Sequence, residues 1–338
     1  MPFTEKYEFD MMDTLIARFP DQLDEALAIG RKAHLRQPDQ IDQVFVTGLG
    51  GSGIGGDFVA SFVRDSCQVP YIVSKGYSIP AWVGKGTLAI ASSYSGNTEE
   101  TLAALDKLLL SGAKVVIISS GGKMSALARE KDLDLIELPN DWPSPRACLG
   151  FSLVQQLVIL HRFGLIDDSS LTAITHSASL LREEMTDIQA RASRIADLIH
   201  GKTTVIYSAD RMEPVAVRFR QQLNENSKVL CWHHVLPEMN HNELVGWRDK
   251  RDDLAVLVFR NHDDYDRTQM RMDITKEVVS HYTGTFIETY SKGNHFIEQA
   301  MYHVHLGDWI SWYLAELRGV DAIEVRVIDF LKGELAGR

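Results

Sequence analysis

Two loops rich in glycine, serine and threonine are the places where this chain could do chemistry. Residues 48–56 read GLGGSGIGG directly after the apolar run Val44-Phe45-Val46, and residues 92–101 read SSYSGNTEET, again after an apolar run. A helix that starts at such a loop presents free backbone N–H groups and the positive end of its dipole. Ser52, Ser93, Ser95 and Thr98 add hydroxyls, and Gly51 leaves its N–H approachable, which together is the equipment of an anion site. One small phosphomonoester suits hydroxyls and backbone amides without a lysine. In the second loop Asn97 followed by Glu100 also reads as a capping box, with Thr98 and Glu99 in the first helical turn.

Gly48, Gly50 and Gly53 satisfy G-x-G-x-x-G, but a dinucleotide is the wrong ligand. That fold also needs an acidic residue at the end of the next strand, about 20 residues on, to hold the ribose. Here the next strand ends YIVSKGYS, with Ser74 and Lys75 where the acid should stand. A P-loop would require Gly-Lys-Ser/Thr, and this loop contains no lysine.

The elements that must position these loops are legible as an α/β pattern. Strands are expected at 43–48, 69–73, 87–92, 114–119 and 134–138. Between them, Leu102, Leu105 and Leu109 recur at helical spacing in 98–111. Continuous apolar strands alternating with helices imply a parallel sheet covered on both faces. A long helical stretch follows at 148–164, and DDSS at 167–170 is the boundary, giving domains 1–167 and 168–338. After a polar helix near 174–199 the pattern returns. TTVIYSADRMEPVAVRFRQQLNE parallels QVFVTGLGGSGIGGDFVASFVRD, and DLAVLVFRNHDDYDRTQMRMDITKEV parallels TLAIASSYSGNTEETLAALDKLLLSG. The second copy has Asp210, Arg211, Asp263 and Asp264 in its strand-to-helix loops, so the first copy is the phosphate-binding one.

The pair GLGGSGIGGD and SYSGNTEET resembles the sugar isomerase (SIS) domain superfamily, which binds phosphosugars through serine- and threonine-rich loops. PSPRACLGF at 143–151, LNEN at 223–226, PEMNHNELVGW at 237–247 and IDFLKGEL at 328–335 make the likeness closer. Taken in order, these motifs resemble the bifunctional phosphoglucose/phosphomannose isomerases of archaea and some bacteria. The resemblance spans nearly the whole chain. It implies two tandem SIS-like α-β-α domains and interconversion of glucose 6-phosphate, mannose 6-phosphate and fructose 6-phosphate without a cofactor.

Such chemistry needs a base that moves one proton between C2 and C1, help in opening the sugar ring, and positive charge near the enediolate. Pro214 suits a first helical turn, and Val215, Phe219 and Leu223 give that helix an apolar stripe ending near Glu225. A carboxylate there faces the negative end of the helix dipole. The family's catalytic glutamate stands in the matching LNEN context, so Glu225 is the expected base; Glu243 is the rival. By resemblance His241 opens the ring and reaches the site from the neighbouring subunit of a homodimer, a proton-moving role of the kind that imidazole side chains perform. Arg146, between prolines 143 and 145 and Ala147, matches the arginine that stabilises the enediolate. Lys332 matches a lysine near the ring oxygen, with Lys292 in YSKGNH as the fallback. The helix HFIEQAMYHVHLGDWISWYLAEL is expected to serve core packing or dimer contact.

Composition narrows the other classes. The formal charge of -11 opposes nonspecific nucleic-acid binding. The amino terminus carries charges where a signal peptide would be apolar, and no apolar run reaches membrane-spanning length, so neither a leader nor a membrane is expected. Three scattered cysteines, Cys67, Cys148 and Cys231, suggest neither a disulfide framework nor a metal knuckle. A reducing cytoplasm fits. His233 and His234 would point to opposite faces of a strand, and His303 and His305 would diverge on a helix, so no metal site is expected. The alternative from another class is a noncatalytic phosphosugar sensor. Glutamine-dependent amidation would need a glutaminase domain with an amino-terminal cysteine, and the sequence begins Met1-Pro2.

Overall fold

The computed structural model describes residues 11–337 and divides into two compact units. An N-terminal unit comprises Arg18–Arg182 with Gly293–Glu298; a C-terminal unit comprises the described residues of 1–17, 183–292 and 299–338. The sequence-based cut at 167 therefore falls ahead of the observed one. The first unit continues to Arg182, well inside the helix that follows, because a helix boundary and a packing boundary need not coincide.

Helix α1 (Met11–Ala17) belongs to the C-terminal unit. The N-terminal unit opens with α2 (Phe19–Lys32) and then alternates β1 (Gln43–Thr47), α3 (Gly50–Phe62), β2 (Tyr71–Ser74), β3 (Thr87–Ser92), α4 (Glu99–Ser111), β4 (Lys114–Ser119), α5 (Gly122–Glu130) and β5 (Asp134–Glu137). These strands form a parallel sheet of order β2-β1-β3-β4-β5. All five lie where the apolar runs placed them. Every residue of β3 is buried, as expected of a strand covered on both faces. On one face Phe45, Ala89, Ala91, Val115 and Ile117 pack with Leu105 and Leu108 of α4 and Met124 of α5. On the other, α6 (Leu149–Arg162) packs against α2 and α3, and every residue from Leu149 to Leu160 is buried. Its two glutamines are partnered: Gln155 Nε2 donates to the Ala26 carbonyl at 2.7 Å, and Gln156 Oε1 accepts from Tyr71 at 2.6 Å. Buried amides need such partners.

Helix α7 (Ser169–Ile199) leads into the C-terminal unit, whose strands are β6 (Thr203–Ala209), β7 (Trp232–Leu236), β8 (Leu254–Arg260) and β9 (Phe286–Tyr290). They are also parallel, in the order β7-β6-β8-β9. This repeats β2-β1-β3-β4 strand for strand, so the second half is a second copy of one α/β unit without the outer strand. Its helices are α8 (Glu213–Glu225), α9 (Asp266–Val279), α10 (Phe296–Arg318) and α11 (Arg326–Ala336). Tyr302 and Trp309 of the aromatic-rich α10 are buried, in accord with a core role. No helix among the described residues is long and apolar enough to cross a membrane.

Candidate active site

The N-terminal loops are built around crowding. Strand β1 ends at Thr47 and α3 begins three residues later, so most of the glycines lie inside the helix and not in the turn before it. A Cβ on Gly48 would stand 2.8 Å from the carbonyl oxygen of Ser92, and one on Gly51 would stand 3.0 Å from that of Pro145. Glycine lets the start of α3 press against the end of β3 and against the segment that carries Arg146. The N-cap position is Leu49, which makes no side-chain hydrogen bond to the helix. Ser52, in the first turn, is buried, and its carbonyl accepts from Ser152 Oγ at 3.3 Å.

The second loop gives a similar result and corrects one expectation. The N-cap of α4 is Thr98, again with no side-chain cap. Its Oγ1 lies instead 2.8 Å from Ser93 Oγ. Asn97 lies one residue too early to cap and accepts from the Lys123 N–H at 3.0 Å, so the capping box does not form. Ser93 is buried, whereas Ser95 is exposed and accepts from the Asn97 N–H at 3.3 Å. Two helices thus begin at the ends of adjacent strands β1 and β3 with first-turn N–H groups that no side chain caps, and such groups favour an anion.

Tyr94, which sequence reasoning passed over, pins this loop to the segment leading to Arg146. Its hydroxyl donates to the Pro139 carbonyl at 2.8 Å and accepts from the Trp142 N–H at 3.3 Å. Burial, with Cys148 nearby, raises its pKa well above the usual phenol value. Only its position between two loop serines hinted at this. Arg146 itself lies in a 3-10 turn, Pro145–Ala147, and is buried. The N-terminal unit therefore gathers Gly51, Ser52 and Arg146 along one junction and Ser93 with Thr98 beside it.

In the C-terminal unit Glu225 is the last residue of α8, whose start carries Pro214 as expected. The next two residues are fully buried: Asn226 Nδ2 donates to Ser311 Oγ at 2.9 Å and Ser227 Oγ to the Ser311 carbonyl at 2.6 Å. Further back on α8, Arg218 pairs with Asp308 of α10 at 2.7 Å, both buried. Glu225 is half-buried and lines a cavity of about 410 Å³ together with Lys228, Leu230 and the segment Glu324–Ile328. Lys228 was also passed over; its place three residues after Glu225 in the sequence, just beyond the end of α8, was the available signal.

The remaining candidates separate clearly. His241 ends a 3-10 turn, Glu238–His241, and is exposed. Glu243 Oε1 accepts from the Tyr207 hydroxyl and from Trp232 Nε1 at 3.1 Å. Lys332 stands exposed on α11, and Lys292 pairs with Glu184 and Asp187. His233 lies 3.7 Å from Glu213, and burial, aided by Arg220, lowers its pKa to about 4. His303 and His305 are buried core residues whose pKa values burial lowers to about 3. Among the described residues no three His, Cys, Asp or Glu side chains converge as metal ligands would.

The second copy's equivalent of the serine loop, between β8 and α9, is closed by its own side chains. Asp264 Oδ2 accepts from the Asn261 N–H at 2.8 Å, and Ser291 Oγ donates to Asn261 Oδ1 at 2.7 Å. Burial raises the Asp264 carboxyl pKa. A carboxylate of the chain thus occupies a backbone donor of the kind that an anion would need.

Sequence similarity follows the same division. Residues 39–161 match the family described as SIS domain, and residues 188–335 match the bacterial phospho-glucose isomerase C-terminal SIS domain. The chain is 36% identical over 332 residues to a Caldicellulosiruptor bescii protein named bifunctional phosphoglucose/phosphomannose isomerase, covering 95% of this chain and 98% of that one. An Aquifex aeolicus protein of the same name is 35% identical over 291 residues, with 85% and 88% covered. In fold the chain is similar to the C-terminal domain of glucosamine-fructose-6-phosphate aminotransferase from Francisella tularensis, with TM-score 0.77, 14% identity, and 94% and 99% covered. With two SIS domains matched in order and relatives this similar along nearly its full length, the chain belongs to the bifunctional phosphoglucose/phosphomannose isomerase family of enzymes.

Proposed function

We propose that this chain interconverts glucose 6-phosphate and mannose 6-phosphate with fructose 6-phosphate by proton transfer through a cis-enediolate. The observation that carries the reading is the pair of adjacent helix starts, at Leu49 and Thr98, that no side chain caps and that hydroxyls surround. In this reading Gly51, Ser52, Ser93, Ser95 and Thr98 hold the phosphate. His241 opens the ring, Glu225 carries the proton between C2 and C1, Arg146 stabilises the enediolate, and Lys332 manages charge at the ring oxygen. The working enzyme is a cytoplasmic homodimer in which each His241 serves the neighbouring subunit. The names of the relatives support the substrate class, and the cavity beside Glu225 supports a carboxylate base.

Proton NMR of the protein with fructose 6-phosphate in heavy water tests this. Glucose 6-phosphate deuterated at C2 is the expected product, with mannose 6-phosphate beside it. Glu225→Gln should abolish exchange while phosphosugar binding, measured by calorimetry, persists. Binding without any exchange in the parent protein would reject isomerisation.

A further inference from the structure

Lys228 has φ +56°. This left-handed conformation is one that a residue with a Cβ avoids and that glycine usually fills just beyond a helix. The turn is held from both sides: before it Asn226 and Ser227 are buried and bonded to Ser311, and after it the Val229 N–H donates to the Leu223 carbonyl at 3.3 Å. Its consequence is that the side chain folds back over the end of α8. Nζ donates to the backbone carbonyl of Glu225 and lies 3.9 Å from Glu324 Oε1. The side chain is 24% exposed and shares with Glu225 the walls of the 410 Å³ cavity. The two lysines singled out by sequence lack this placement: Lys292 is tied to Glu184 and Asp187, and Lys332 is exposed on α11.

We propose that Lys228 is a further catalytic residue, whose ammonium neutralises the substrate oxygen that becomes negative as Glu225 removes the proton. The proposal rests on the reading of Glu225 as the base. An ammonium has three donors and can serve more than one acceptor at once, so a compact positive charge held by the Glu225 carbonyl and 3.9 Å from Glu324 Oε1 can also meet an oxygen bound in the cavity. When the C2–H bond of the open-chain aldose breaks, its proton goes to the Glu225 carboxylate. The electron pair becomes the C1–C2 double bond, and the carbonyl pair moves onto O1, which Lys228 faces. Delivery of the proton to C1, with the hydrogen of O2 passing to O1, gives the ketose and restores the carboxylate. Lys228 keeps its own proton throughout.

A lysine that merely caps the last carbonyl of α8 would respond differently to two ligands. Arabinonate 5-phosphate carries a carboxylate where the enediolate is charged; sorbitol 6-phosphate is neutral there. In Lys228→Met, kcat should fall about 100-fold with KM within about twofold, as for loss of one preorganised donor to a developing oxyanion. Affinity for arabinonate 5-phosphate should fall by a similar factor, while sorbitol 6-phosphate binds as before. Equal losses for both ligands, or no loss for either, would overturn the proposal. Lys228→Gly guards against misfolding, because it relieves the left-handed backbone and removes the amine; it should be at least as stable as the parent and as slow as Lys228→Met. An active Lys228→Gly also overturns the proposal. Glu225→Gln is run beside them: if it stays active the base assignment fails, whereas an inactive Glu225→Gln with an active Lys228→Met overturns only the role of Lys228.

Discussion

Glu225 and Glu243 are carboxylates of one unit, and their surroundings divide them. Glu243 sits in a frame of donors: Tyr207 and Trp232 bond one of its oxygens, and Trp247 Nε1 donates in turn to the Tyr207 hydroxyl at 3.1 Å. Such a network fixes a carboxylate as part of the scaffold. Glu225 instead opens on a cavity. The hydroxyls of the N-terminal unit sort in the same way. Thr98 Oγ1 is paired with Ser93 Oγ rather than with the backbone of its own helix, so removing it leaves α4 without any lost cap. Thr98→Ala should therefore raise KM about tenfold, the value of one hydrogen bond to a charged group, with kcat and the pH optimum unchanged in steady-state kinetics. An unchanged KM would remove Thr98 from the phosphate site.

At the scale of elements, α8 is positioned by α10. The buried Arg218–Asp308 pair and the Asn226–Ser311 bond lie on one side of α8, and they set where its last residue, Glu225, ends up. The same α10 carries a cost at low pH. His303 and His305 are buried, and burial lowers both pKa values from 6.5 to about 3. Between those values the unfolded chain binds a proton at each histidine that the folded chain refuses, so stability rises with pH across that window and is lost as pH falls through it. The slope is about 1.4 kcal/mol per pH unit for each residue. His305→Gln should lower the slope of unfolding free energy against pH by about that amount between pH 6 and pH 4 in urea titrations. An identical slope in the variant would mean that His305 is not held neutral in the fold.

At the scale of the molecule, one α/β unit occurs twice and the copies have diverged at their strand ends. The first keeps glycine and hydroxyl residues at the ends of β1 and β3; the second fills the matching loop with Asp264. The proposed homodimer adds a division between subunits, and this is separable by mixing. If His241 serves the neighbouring subunit, Glu225→Gln and His241→Ala protomers, each inactive alone, form a heterodimer with one intact site. Statistical re-pairing of equal amounts should then restore about one quarter of the parent turnover, since half of the dimers are mixed and half of their sites are complete. No recovery, with mixed dimers verified by mass spectrometry, would place His241 in its own subunit's site.

The sequence by itself determined the strands of the first sheet, the repetition of the unit, and the two loops. Each of these depends on local signals: runs of branched apolar residues, helical spacing of leucines, and glycine beside serine. It also placed the end of α8, since Pro214 and the apolar stripe from Val215 to Leu223 set the length of that helix. What only the tertiary structure decided were the relations between residues far apart in the chain. Gly51 is glycine because the Pro145 carbonyl lies against it, Tyr94 is fixed by Pro139 and Trp142, and Thr98 turns to Ser93 and leaves the capping box unformed. Glu243 became part of the scaffold through Tyr207 and Trp232, and Lys228 entered the Glu225 cavity through a left-handed turn that its neighbours hold against Ser311. Periodicity reports which way a side chain faces on its own element. It carries no information about which carbonyl or carboxylate the folded chain will bring to meet that side chain.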